Sequence, residues 1–230
     1  MHEQPSDNPD QITDGVDTPT GQVWSEEVRG TPIPDLGWTQ RYDVAKELGD
    51  CYASVGDHAS AGRCYDRAAV LGPDEPGPYV GMGVIALQES RVEDAEMAFR
   101  VACRLDGRCS AGYCGLAMVA EQRGDWNRAF DLYLQSLESN VDNLTALLGL
   151  FQVSCRMGSF EKVIQYLELY LDMHPADGSV MFCLATLHWR QGQPRRARAL
   201  LQDVLLLEPG HEDAAQLLEE IEHKAAQAVG

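Results

Sequence analysis

The sequence predicts an all-α chain built as a solenoid of stacked helical hairpins, and three observations carry that reading. A register of 34 residues starting at Tyr42 recurs at Pro76, Ser110, Leu144 and Gly178 without insertion or deletion. Each register holds two runs of apolar residues at helical spacing, at roughly places 2 to 14 and 17 to 30. Gly56, Gly124, Gly158 and Gly192 stand between the two runs.

Small and large residues alternate at fixed places. The seventh holds Leu48, Met82, Leu116, Leu150 and Leu184, and the eighth holds Gly49, Gly83, Ala117, Phe151 and Ala185. The twentieth is Ala61, Ala95, Ala129, Val163 and Ala197, and the twenty-fourth is Tyr65, Phe99, Tyr133, Leu167 and Leu201. Missing bulk at places 8 and 20 lets two helices approach, and the large residue at place 24 fills what remains. A single hairpin cannot cover its own apolar face, so stacking on the next unit is required. The predicted units are 42–75, 76–109, 110–143, 144–177 and 178–211, within a solenoid of 39–211. Pro73, Pro175 and Pro209 end units one, four and five, and Pro194 opens the second helix of the fifth.

The segment 212–230 reads as a capping helix and tail, with Ala215, Leu217, Leu218 and Ile221 on one face and Glu219, Glu220, Glu222 and Lys224 on the other. Residues 1–38 read as an acidic, proline-containing leader, disordered or loosely docked. Its Val23, Trp24, Val28, Ile33, Leu36 and Trp38 leave two readings open, a cap on the first hairpin or a partner-binding motif.

With these residues at these places, the chain resembles a five-unit tetratricopeptide repeat array over residues 42–211. The first unit matches best, through Leu48, Gly49, Tyr52, Gly56, Ala61, Tyr65, Ala68 and Pro73. The fourth departs most, with Phe151 and Val163 where small residues are usual. The resemblance implies a right-handed α-solenoid whose inner wall comes from the first helix of each unit, mainly places 2, 5, 9, 12 and 13.

Carried onto this chain, that wall begins with Asp43, Lys46, Asp50 and Ala53, then Val80, Val84, Leu87 and Gln88. It continues through Cys114, Met118, Glu121 and Gln122, then Leu148, Gln152, Cys155 and Arg156, and ends at Phe182, Thr186, Trp189 and Arg190. A solvated face would be charged at most of these places, so the expectation is a groove for a peptide or protein with apolar anchors. Arg156 and Arg190 would fix its polar ends. The alternative is that these residues pack against neighbouring helices. Members of the family that clamp acidic chaperone tails use Lys and Asn at set inner places; Lys46 occupies the first, but Asp50, Gly81, Ala111 and Gly115 do not fit that pattern.

Charge narrows the partners. Asp plus Glu number 36 against 18 Lys plus Arg, a net −18, which argues against nucleic acid. No apolar run is long enough to span a bilayer and no basic leader precedes one, so the expectation is a cytoplasmic protein without membrane insertion. The fifth unit is the basic end, with Arg190, Arg195, Arg196 and Arg198 placed to meet the acidic leader or terminal helix, within the molecule or across a dimer. Seven cysteines do not suggest a disulfide framework, and the Cys103, Cys109 and Cys114 cluster has no common metal spacing. Nucleophile-elbow, phosphate-loop and zinc-protease motifs are absent from the sequence. No cofactor or metal and no catalytic residue is expected. The expected function is a non-catalytic interaction scaffold. The alternatives are a self-assembling scaffold joined through the leader or solenoid ends, and an assembly or export chaperone that shields an apolar client segment.

Overall fold

The computed structural model describes residues 41–227, and every regular element among them is an α-helix. The leader predicted at 1–38 and the tail beyond 227 lie outside the described residues. Five hairpins follow one another: α1 Tyr42–Ser54 with α2 His58–Leu71, α3 Gly77–Gln88 with α4 Val92–Leu105, and α5 Ser110–Gln122 with α6 Trp126–Ser139. Then come α7 Leu144–Met157 with α8 Glu161–Met173, α9 Gly178–Arg190 with α10 Pro194–Leu207, and the closing helix α11 Glu212–Gln227.

Local chemistry sets the boundaries. Asp57, Asp125, Asn143 and Asp177 open α2, α6, α7 and α9, each side chain accepting from the amide three residues on. Each cap satisfies one N–H that a helix start leaves bare. Asn143 also donates to Ser110 Oγ at 2.9 Å and Ser136 Oγ at 3.1 Å, which ties the start of α7 to α5 and α6. Within four hairpins the reversal passes through Gly56, Gly124, Gly158 or Gly192 at φ between +72° and +79°, and in the second unit Ser90 adopts φ 60° at the same place.

Each helix packs on the next, and each first helix also touches the first helix of the following unit, α1 on α3, α3 on α5, α5 on α7 and α7 on α9. The units interlock around place 24. Tyr65 rests over Gly49 of its own unit and Gly81 of the next, and Phe99 over Gly83 and Gly115. A Cβ at Gly81 or Gly115 would stand 2.3 Å from those rings, well inside van der Waals contact.

The fourth unit inverts these volumes. Leu167 takes place 24, Phe151 takes the small-residue place 8, and Cys183 rather than glycine follows in the next unit. Phe151 is half-buried against the largest core cluster, which runs from α5 to α9, and α7 and α8 are the least closely packed pair of the five hairpins. Bulk at place 8 holds the two helices apart. At the end of the solenoid, Ala214 and Ile221 of α11 pack on Met181, Ala185, Ala197, Leu201 and Val204. Ala214 takes the buried position and Ala215 is exposed, one residue off the predicted face.

Candidate protein-binding face

The first helices α1, α3, α5, α7 and α9 stand side by side, so their outward positions form one continuous face. Place 9 is its most open line: Val84 is 40% exposed, Met118 is 38% exposed, and Gln152 is exposed. Val80, Leu148 and Cys155 are half-buried beside it, and Gln122 is exposed at its edge.

Two of the predicted wall residues do not belong to that face. Leu87 is buried with Ala86, Ala95 and Phe99, and Cys114 is buried in the cluster of Ala117 and Tyr133. Both are apolar, and both find cover from a neighbouring helix that removes them from water.

The fifth unit carries its own cover. Phe182, Thr186 and Trp189 are half-buried. The ring of Phe182 lies 5.0 Å from that of His211, and the Lys224 ammonium of α11 sits 5.0 Å from the Trp189 ring. These contacts place the two aromatics under the terminal helix rather than on a bare strip. Thr186 Oγ1 donates to the Phe182 carbonyl at 2.9 Å, an intrahelical bond. Arg156 stacks on Trp126 at 4.7 Å, and Arg190 donates to the Cys155 carbonyl at 3.1 Å. Arg198 meets Glu222 of α11 at 2.8 Å, so the basic end and the acidic helix do pair within the molecule.

A further opening lies at the other end of the face. A hollow of about 480 Å³ opens between α1, α3 and the start of α5, with Ala53, Val80, Gly81, Val84 and Ala111 among its apolar lining. Lys46, Asp50 and Gln88 stand at its polar edges. Asp50 is engaged twice, by Lys46 Nζ at 2.5 Å and by the Tyr65 hydroxyl, which donates at 2.8 Å. The local charge is thereby balanced. Tyr133 donates likewise to Glu121 on α5. Burial, then the bonded carboxylate, pushes both phenols above their ordinary range, so they act as neutral donors.

The wall positions carried over from the resemblance include Lys46, Asp50, Ala53, Val80, Val84 and Gln88 of this lining, and the small residues Gly81 and Ala111 join them. Of the glycines at the sixth place of units two, three and four, Gly81 lines the hollow, while Gly115 and Gly149 lie against the rings of Phe99 and Tyr133. A second cleft of about 660 Å³ lies on the other side, between α2 and α4, lined in part by Gly62, Met82, Ile85 and Met97. Gly62 was legible as a glycine inside a helix where a Cβ would meet nothing within 4 Å. Among the described residues no group of three or more His, Cys, Asp or Glu is placed to hold a metal, and no helix is long and apolar enough to cross a membrane.

Comparisons with known proteins follow the same lines. Residues 156–221 match the sequence model of the tetratricopeptide repeat family. Over 172 residues, 70% of this chain, the sequence is 28% identical to cellulose synthase operon protein C of Pseudomonas fluorescens. The chain spans 13% of that relative's length. The fold is similar to that of yeast Tom70, with TM-score 0.65 and 20% identity over 83% of this chain and 41% of that one. It is also similar to that of YrrB, a tetratricopeptide repeat protein, with TM-score 0.58 and 15% identity over 78% of this chain and 93% of that one. A 34-residue register kept through five hairpins, the match of residues 156–221 to the tetratricopeptide repeat model and the shared fold show a tetratricopeptide-like helical solenoid.

Proposed function

We propose that this chain is a non-catalytic protein-binding scaffold that receives a partly apolar peptide or helix on its first-helix face, centred on α3 and α5. The observation that carries this reading is the hollow between α1, α3 and α5, apolar at Val80 and Val84 and polar at Lys46, Asp50 and Gln88. An apolar side chain entering it would leave water, while the polar edge offers partners to the backbone of a bound segment. Further along, Met118 and Leu148 extend the apolar line, with Gln122 and Gln152 beside them. YrrB, whose structure is described as having an unusual peptide-binding site, supports the reading through its similar fold.

Selection of a displayed random-peptide library on the full chain tests it. Enriched peptides with apolar anchors that lose binding to Val84→Asp, while the helical circular dichroism of that variant is unchanged, support the proposal. A library that yields nothing above a control surface, or peptides indifferent to both Val84→Asp and Met118→Asp, overturns it.

A further inference from the structure

At the join of the second and third units, two cysteines meet over a missing side chain. Cys103 lies in the last turn of α4, and Cys109 immediately precedes α5. The position that a Gly112 Cβ would take is 2.7 Å from the Cys103 sulfur and 3.2 Å from the Cys109 sulfur. The two sulfurs therefore lie within about 6 Å of each other, a side-chain rotation from the ~2 Å bond of a disulfide. Gly112 sits inside α5 with no positive φ to justify it, and glycine weakens a helix there. Its missing side chain makes room for the sulfurs. Cys114, the third of the cysteines close in sequence, packs away from them into the core around Ala117 and Tyr133.

We propose that Cys103 and Cys109 are a dithiol that closes to a disulfide by exchange with a low-molecular-weight disulfide, tying the end of α4 to the start of α5. Cys103 is partly exposed and Cys109 is buried, which sets the order of attack. The Cys103 thiolate attacks one sulfur of the small disulfide and expels the other half as a thiolate. The Cys109 thiolate then attacks the Cys103 sulfur, forming the protein bond and releasing the second small thiolate. Two protein thiols lose two protons and two electrons, and the small disulfide takes both to become two thiols. The turn 104–108 is exposed throughout, so it can adjust as the bond forms. Burial pushes the Cys103 thiol up to about 11, helped by Cys109 and Asp106, and raises Cys109 as well. Because the thiolate is the nucleophile, closure is slow at neutral pH and quickens in alkali.

The test incubates the full chain with oxidised glutathione under mildly alkaline conditions, caps the remaining thiols and reads tryptic peptides by mass spectrometry. The expected product joins the peptide Val101–Arg104 to Cys109–Arg123 as the dominant internal cross-link. Its rate should rise about tenfold per pH unit through the neutral and mildly alkaline range. Cys109→Ser places a good helix-capping residue before α5 and should stop at glutathione on Cys103, with its helical circular dichroism unchanged. Failure of the parent chain to cross-link at equilibrium overturns the proposal. So does glutathione that persists on Cys103 in the parent, or a cross-link through a different pair such as Cys155 and Cys183.

Discussion

A Cβ at Gly149 of α7 would lie 2.3 Å from the ring of Tyr133 on α6, so the third and fourth units are in contact through a side chain on one and bare backbone on the other. Gly149→Ala should therefore lower stability by about 1 to 3 kcal/mol, the usual range for overpacking. In a Tyr133→Leu background the same change should be cheaper, since Leu167 already fills place 24 of the fourth unit without a glycine opposite. Gly62→Ala is the contrast. Nothing lies within 4 Å of an added Cβ there, and the exchange should stabilise α2 by about 1 kcal/mol. Denaturant midpoints of the parent and the four variants decide the matter.

Ser90 holds φ 60° where the other units use glycine. A left-handed conformation disfavours a side chain by about 1 to 2 kcal/mol, partly offset by the greater freedom of glycine in the unfolded chain. Ser90→Gly should raise the melting temperature modestly, and a fall would mean that the Ser90 side chain has a role the turn geometry does not reveal.

Glu96 on α4 faces Arg100, Arg123 and Arg128 with its side chain only 13% exposed. The bonded Arg123 holds its carboxyl below the ordinary range. A lowered value means that this stabilisation is present above the unfolded value and is lost as pH falls through the folded one. Glu96→Gln should cost about 1 kcal/mol at neutral pH, with the gap to the parent closing in acid.

Alkali should act in the opposite sense. Burial pushes Cys114 and Cys183 up to about 12, above the ordinary thiol value of 9.0, and raises Tyr65 and Tyr133 too. A raised value means that the contribution is complete below the unfolded value and is lost as pH rises toward the folded one. Melting temperature should be flat through neutrality and fall above about pH 9. Cys114→Ala and Cys183→Ala should each soften part of that fall.

Trp189 is half-buried and carries Lys224 of α11 over its ring. Trp189→Ala should loosen the terminal helix before the rest of the solenoid, at a cost of about 2 to 3 kcal/mol, below the value for a fully buried aromatic. Hydrogen exchange in residues 212–227 should quicken while α1 to α6 stay protected. Uniform loss of protection would show that the cap and the repeats unfold as one unit.

Much of the architecture was legible because its causes are local. Helical periodicity, the caps at Asp57, Asp125, Asn143 and Asp177, and the glycine reversals all act within a few residues of where they are written. The repeat at 34 residues then predicts stacking, because every unit offers the same apolar faces to the next. Even the odd residue of the fourth unit was visible, since Phe151 breaks the pattern at place 8, although the compensating Leu167 and Cys183 make sense only once three helices are seen to meet.

The openness of the wall was a different kind of question. Place within a helix gives direction around the axis, but exposure depends on what a distant segment lays over it. Leu87 and Cys114 carry the same repeat places as Ala53 and Leu148, yet neighbouring helices bury the first two and leave the others partly exposed. Phe182 and Trp189 lie at wall places too, and His211 at the start of α11 and Lys224 within it meet their rings. The sequence alone determined the helices, their phase and the stacking of the units, because those follow from short-range periodicity repeated. Only the tertiary structure decided that the open apolar hollow lies at Val80 and Val84, because a hollow is the space several separate segments leave unfilled.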